Sequence, residues 1–435
     1  MEKLLKRIVQ SKQVFLLLGI FIIFVFLLSR TFMGFFIFSY RTGEIVFLIS
    51  MSFVFLSIFF NPSNFIQTKI WSNQIRYALL LLVLHFLFSV TISNNSFTDL
   101  YVYRSSSYIW SIGFLYLSLI IFEKRKPTLK YVFALFALLL WIYVYNIYGI
   151  SNQLQDFLLT ISDKFEYHKG SDLLIMFVVS FFIANRIIIN KRIAFEIFII
   201  FSSLYLPILL FKSRSAFIAF LIFFILEIIQ LKPSMRNNPK RNSILIIVSI
   251  LILIQSIFTV TKSGYIQIEE ISAKAEQIID YRLTIDNEAE KSFLYIEDGR
   301  VYSIDGNLNW RLQIWQDVLF DLSNSNKLSI GYGFSSIIPA MEDPIRKGTD
   351  GTNENVHNFL VNILARGGLV GLLLYLSFFF FLLKEIIQTR NNYQIFNLVV
   401  PIIFTSLFDA SMENAHFPIL FYISLGLYIQ NYSKN

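Results

Sequence analysis

Cysteine is absent from all 435 residues, which excludes disulfides, thiolate nucleophiles and Cys–metal sites. Charge is scarce as well: 15% of residues are Asp, Glu, Lys or Arg, against 55% apolar. Soluble domains carry about 25% charged residues, so an ordinary cytosolic protein is excluded. Only four histidines occur, and each is a position to account for. There is no P-loop, no Gly-rich phosphate cradle and no paired-Asp motif, which argues against nucleotide-driven chemistry and against Mg²⁺ held to a nucleotide sugar. HxxE and HExxH spacings are missing, and His85, His168 and His416 lie in separate segments. Neither a metal nor a cofactor is therefore expected.

What the chain has in abundance is long apolar runs. Phe alone supplies 48 residues, and the mean hydropathy is +0.61. The expected fold is all-α and polytopic, with twelve transmembrane helices. The candidate spans are roughly 13–29, 43–60, 75–92, 106–122, 129–149, 171–189, 193–211, 214–231, 243–261, 356–383, 394–410 and 415–431. Pro207 and Pro401 fall inside spans, which a bundle tolerates. No small-residue cleavage site follows Val14 to Leu28, so this run reads as a retained first helix.

The net charge of +8 comes from basic residues between spans, a topology signal rather than a nucleic-acid-binding face. Lys124, Arg125 and Lys126; Arg186, Lys191 and Arg192; Lys232, Arg236, Lys240 and Arg241; and Lys384 with Arg390 all fall on one side. The positive-inside rule makes that side cytoplasmic, together with both termini. The expected organisation is spans one to nine over residues 1–261, a large extracytoplasmic loop over 262–355, and spans ten to twelve over 356–435. Acidic residues outnumber basic ones in that loop. Ile268, Ile271, Ala275, Ile278 and Ile279 recur at helical spacing and predict an amphipathic helix on the membrane face. Trp310, Ile314 and Val318 form one stripe of a second helix, Leu308 to Leu322.

This topology sends Arg214, Arg311 and His357 to one face. Arg214 opens the eighth span among small neighbours, Ser213, Ser215 and Ala216, which leave room for a bulky anion; the alternative is snorkelling to lipid phosphate. Arg311 is either a phosphate grip or half of a pair with Asp317 or Glu354. His357 stands where a polar segment meets the tenth span, as a general base or as an interfacial histidine bonding a carbonyl. Asp409 and Glu413, between the last two spans, are carboxylates that pair with an arginine, contact a sugar hydroxyl or are simply solvated. Gly367, Gly368 and Gly371 predict close helix packing, and Gly331 and Gly333 a turn.

Four pieces in order carry a resemblance: KSRSA at 212–216, NWRLQIWQDVLF at 309–320 followed by GYGF at 331–334, VHNFLVNILARGGLVG at 356–371, and FDASMENAHFPILFYISLGL at 408–427. With the twelve-span layout, they resemble the O-antigen ligase and O-antigen polymerase superfamily of bacterial envelope glycosyltransferases. The first five spans carry no motif of this kind. The resemblance implies a GT-C-like, metal-independent enzyme of the inner membrane. Such an enzyme transfers a glycan from an undecaprenyl-diphosphate carrier to another lipid-linked glycan or to lipid A-core. It also implies that Arg214 and Arg311 hold the diphosphate and that His357 activates the acceptor hydroxyl. Lipid-A-core ligases are expected to have an acidic residue soon after the HN pair. Here Phe359 follows Asn358, which leans toward a polymerase. A polysaccharide flippase, another secondary transporter or a non-catalytic scaffold are the competing classes. Transporters usually show internal repeats and mid-membrane charges; no convincing repeat relates the halves here.

Overall fold

The computed structural model describes residues 7, 9–60, 71–92, 97–162, 165–231, 239–280, 293–347, 353–390 and 393–431. They form α1 (Lys12–Met33), a hairpin of β1 (Phe36–Ile37) and β2 (Tyr40–Arg41), α2 (Thr42–Phe59), α3 (Asn73–Ile92), the short α4 (Leu100–Ser105) and α5 (Ser107–Trp110), α6 (Gly113–Phe122), α7 (Leu129–Tyr148) and α8 (Asn152–Ile161). There follow α9 (Gly170–Ile187), α10 (Lys191–Lys212), α11 (Arg214–Leu231) and α12 (Pro239–Asp280). A second hairpin, β3 (Leu294–Glu297) with β4 (Arg300–Ser303), leads into α13 (Gly306–Asn324). The chain ends with α14 (Phe359–Arg390), α15 (Phe396–Ser406) and α16 (His416–Asn431). Both hairpins are antiparallel and are additions to the all-helical expectation.

Among the described residues, nine helices are long and apolar enough to cross a membrane: α1, α2, α3, α7, α9, α10, α11, Lys240–Thr261 of α12 and Phe359–Gln388 of α14. The other three expected spans correspond to shorter apolar pieces, Ser107–Phe122, Tyr393–Ser406 and α16. The chain is a multi-pass helical membrane protein. α9 and α16 are buried along almost their whole length, so they form the centre, and α9 packs against α7, α10, α11, α15 and α16. In contrast, α1, α2 and α12 leave apolar faces outward, as lipid contact requires.

Local chemistry sets the helix ends. Ser11, Ser151 and Asp305 cap α1, α8 and α13 by accepting from the backbone N–H three residues on. α10 and α11 are separated by a single extended residue, Ser213, so α11 starts at Arg214 as the sequence predicts. α12 does not stop at residue 261: its backbone runs unbroken for 42 residues, about 63 Å at 1.5 Å per residue. That is twice the thickness of a bilayer core, so the expected separate surface helix is a continuation of the span. The side chains of the 268–279 stripe lie outside the described residues.

Two helices break, and both breaks matter. α1 breaks at Ser29 (φ 44°, ψ −114°). α14 breaks at Gly368 (φ 63°, ψ −170°), where the GYGF turn takes over the hydrogen bonding. Tyr332 and Gly333 donate to the carbonyls of Ala365 and Arg366, and Leu369 and Val370 donate to those of Leu328 and Ser329. Gly331 and Gly333 sit at φ 81° and 85°, so both this turn and the break need residues tolerant of positive φ. Gly367 and Gly371 do serve close packing, against His85 and Tyr108, and His85 Nε2 donates to the Gly367 carbonyl at 2.8 Å. Gly368 does both: it carries the positive φ of the break and lies tightly against the backbone of Ser329 and Ile330.

Candidate active site

His357 lies just before α14, not within it. Asn358 caps the helix, its Oδ1 accepting from Leu360 and Val361 N–H at 3.0 and 3.1 Å. His357 itself is held at φ 53°, an uncommon conformation for a non-glycine residue that costs on the order of 1 kcal/mol. Its imidazole is 18% exposed, with Nδ1 3.9 Å from Asp409 Oδ1, too far for a hydrogen bond. Nδ1 is buried without a hydrogen-bond partner. Trp310 of α13 packs edge-on against the ring, centroids 5.1 Å apart.

Asp409 is fixed from several directions. Its Oδ2 accepts from Ser171 at the start of α9 at 2.5 Å, and its Oδ1 accepts from the Ala410 N–H at 2.8 Å. Half-buried Arg311, on α13 one residue beyond Trp310, has an Nε with no hydrogen-bond partner. Burial lowers its pKa, while Asp409 and then Asp305 act to hold its charge. The expected partners of Arg311 are therefore replaced: Asp317 binds Arg300 and Arg346 instead, and Glu354 hydrogen-bonds Tyr101. Asp305 also forms an ion pair with Arg214, whose side chain is 78% exposed. Arg214, Asp305, Arg311, Asp409 and His357 thus form one chain of charges across α11, α13 and the loops before α14 and α16.

The titration of His357 follows from this setting. Burial pushes its pKa down to about 4; Asp409 opposes the shift, while Arg311, Lys169 and Arg30 reinforce it. The ring is neutral at pH 7, the form able to accept a proton. Glu413 is the opposite case. Both its carboxylate oxygens are buried without a hydrogen-bond partner, and burial raises its pKa to about 8. Simple solvation is excluded for Glu413; Arg366 is its largest stabilising neighbour. Glu354 joins a separate chain: Tyr101 also accepts from Arg366 Nη2 at 3.0 Å, and Arg366 Nη1 donates to the Ser336 carbonyl.

Sequence reasoning missed Arg30, Lys169, Ser171, Asp172 and Arg366. A signal was present for Arg30 and Arg366, since a charge inside an apolar run is costly and rarely idle. Asp172 accepts from His416 Nε2 at 2.7 Å and from Lys169 N–H at 3.1 Å. His168 donates to the Phe26 carbonyl and accepts from Asn146, both at 2.9 Å. His168 and His416, distant in sequence, thus meet at the start of α9, which bonds one and lies beside the other. No group of three or more His, Cys, Asp or Glu suited to a metal occurs among the described residues.

Fold and site together describe a multi-pass membrane protein with a neutral histidine beneath basic groups at one end of its helices. Residues 197–376 match the family model described as O-antigen ligase, and the resemblance drawn from the motifs to the O-antigen ligase and polymerase superfamily holds. That segment carries Arg214, Arg311, Glu354 and His357, but not Asp409 or Glu413. The match supports a membrane enzyme that transfers glycans, of ligase or polymerase type. No curated protein matches the chain.

Proposed function

We propose that the protein is an inner-membrane glycosyltransferase joining an undecaprenyl-diphosphate-linked glycan to an acceptor sugar hydroxyl at the outer face, as a surface-polysaccharide polymerase. The observation that carries the reading is His357: buried, neutral, strained in backbone, with Asp409 at 3.9 Å and Arg311 beside it. Arg311 and Arg214 bind the donor diphosphate, guanidinium groups being well shaped for phosphate oxygens. Arg214 is exposed and exchanges Asp305 for the incoming anion, whereas Arg311 has an unused Nε–H.

In the displacement, the acceptor hydroxyl oxygen bonds to the donor's anomeric carbon. The bond from that carbon to the diphosphate oxygen breaks, its electron pair leaving with the diphosphate. The hydroxyl proton passes to His357. Nδ1 is buried on the side toward Asp409, which leaves Nε2 as the nitrogen that serves as the base in this reading. A base of pKa about 4 is weak, and substrate corrects this. Diphosphate on Arg311 cancels one of the charges that depress the ring, raising its basicity when the donor is bound. A single displacement of this kind inverts the anomeric centre.

The runner-up is a ligase acting on lipid A-core, favoured by the description of the matching family; Phe359 after Asn358 supports the polymerase. The test is the lipopolysaccharide pattern of a deletion strain carrying wild-type, His357→Ala or Arg214→Ala protein at equal membrane levels. Core bearing one repeat unit identifies a polymerase, and bare core with accumulated lipid-linked polymer a ligase. Full polymer from both variants overturns the catalytic reading.

A further inference from the structure

A second basic recess opens on helices that carry neither Arg214 nor Arg311. It is a cavity of about 130 Å³ whose lining includes Arg30, Gly34, Arg41, Asn414 and His416, from the end of α1, the β1–α2 region and the start of α16. No carboxylate lines it. The Arg30 side chain is only 10% exposed and its Nη1 lies 3.5 Å from Glu166, yet its Nε and Nη2 are buried without a hydrogen-bond partner. His416 is fully buried. Its Nε2–H donates to Asp172, which as a carboxylate can only accept, and its Nδ1 is also buried without a partner. Buried donors left unmade are expensive, and a guanidinium more so than an amide. Arg30, with two such donors at a cavity that no carboxylate lines, marks a site built for an anion.

The break at Ser29 is what delivers Arg30. The backbone there leaves the helical path just before the end of α1, and Thr31 Oγ1 donates to the Glu166 carbonyl at 3.4 Å and accepts from its N–H at 3.1 Å. The recess shares a face with the His357 site, because α2, α9, α11 and α16 all start there. Arg30 is also within electrostatic reach of His357 and Glu413. His357 therefore feels cations from different elements, Arg311 of α13 and Arg30 of α1 among them.

The geometry points to a second phosphate subsite, in which Arg30 and Arg41 hold the acceptor by the phosphate of its own lipid diphosphate. The cavity has room for a phosphoryl group, and its place at the end of α1 and the start of α16 suits a lipid-borne phosphate. This rests on the glycan-transfer reading above and gives the lipid-linked acceptor of that reading a binding site of its own. Two lipid-linked glycans then approach His357 from separate anchors, and the enzyme need not tell one headgroup from the other at a single site.

The experiment is a binding stoichiometry. Full-length protein in phosphatidylcholine nanodiscs is titrated with undecaprenyl diphosphate and bound lipid is counted by native mass spectrometry. Wild type is expected to bind two, Arg30→Gln one, Arg214→Ala/Arg311→Ala one, and the combination none. Retained binding at the Arg214–Arg311 site shows that Arg30→Gln is folded. Arg41→Gln, at a less buried position, is expected to weaken the second event about tenfold, the loss of one charge-assisted contact. Two lipids bound by both Arg30→Gln and Arg41→Gln overturn the subsite. So does loss of the Arg30-dependent event when phosphatidylglycerol is added, which assigns the recess to a phospholipid headgroup. If instead Arg214→Ala/Arg311→Ala still binds two while Arg30→Gln binds one, the recess stands and the donor-site reading fails.

Discussion

Replacing Asp409 by Asn tests the proposed base directly, since it keeps the shape and removes the charge 3.9 Å from His357 Nδ1. Opposite unit charges at that separation attract by about 4 kcal/mol at an effective dielectric of 20. The two side chains are 18% and 16% exposed, so screening is incomplete and that value is an upper bound. With the proton about half transferred in the transition state, about 2 kcal/mol of stabilisation is lost, which is roughly 30-fold in rate. The pH dependence gives an independent sign. Asp409 raises the His357 pKa against burial, so the variant's histidine loses its proton at still lower pH. The acid limb of the pH–rate profile therefore moves down while the plateau rate falls. The assay is glycan transfer in proteoliposomes with lipid-linked oligosaccharide, kcat and donor KM being separated. Activity within about threefold of wild type, or an acid limb that shifts upward, refutes the base assignment.

Three further outcomes are expected. Gly368→Ala forces a side chain into φ 63° and against the Ser329 carbonyl, so it destabilises by about 2 kcal/mol or more and lowers the detergent melting temperature by several degrees; Gly367→Ala, whose methyl meets the Tyr108 hydroxyl at 3.3 Å and the His85 ring at 3.4 Å, costs less, because side chains rather than backbone must give way. Arg186, 3.8 Å from fully buried Glu227, is its only cationic partner among the ion pairs described; Arg186→Met costs about 3 kcal/mol and Arg186→Met/Glu227→Leu recovers part of it, the rest being lost because Asn185 and Asn397 donate to the same carboxylate, so strict additivity in a double-mutant cycle contradicts the pairing. Glu413 has a folded pKa near 8 against an ordinary 4.5. The folded state binds the extra proton, and stability falls as pH rises from about 4.5 to 8. Glu413→Gln mimics the protonated acid and is expected to melt higher than wild type at pH 9, with little difference at pH 4; the reverse order rules out a neutral buried carboxyl.

Much of the site was legible locally. A lone histidine and two arginines at polar–apolar boundaries stand out in a chain with 15% charge, and Arg214, Arg311 and His357 do fall at helix starts or on the cap helix. The partners were not legible. Arg311 looked toward Asp317, six residues on, and Glu354, 43 residues on, and instead feels Asp409 and Asp305. Asp317 was claimed by Arg300 and Arg346, a competition created by the β3–β4 hairpin and the turn at Pro344–Arg346, both folded against α13.

By itself the sequence determined that this chain lies in a membrane, because hydrophobicity is a property of each residue and its run length. It also determined which ends of the spans are polar, and so which charges share a face. Tertiary structure decided which of those charges meet. His416 finds Asp172, Asp409 finds Ser171 and His357, and Arg30 turns into a recess beside His416. These pairs are 52 to 386 residues apart, with Asp409 and Ser171 separated by 238, and no local periodicity encodes them. They follow from the packing of α9 and α16 at the centre and from the breaks at Ser29 and Gly368. There the helical hydrogen-bond pattern yields to contacts that only neighbouring segments supply.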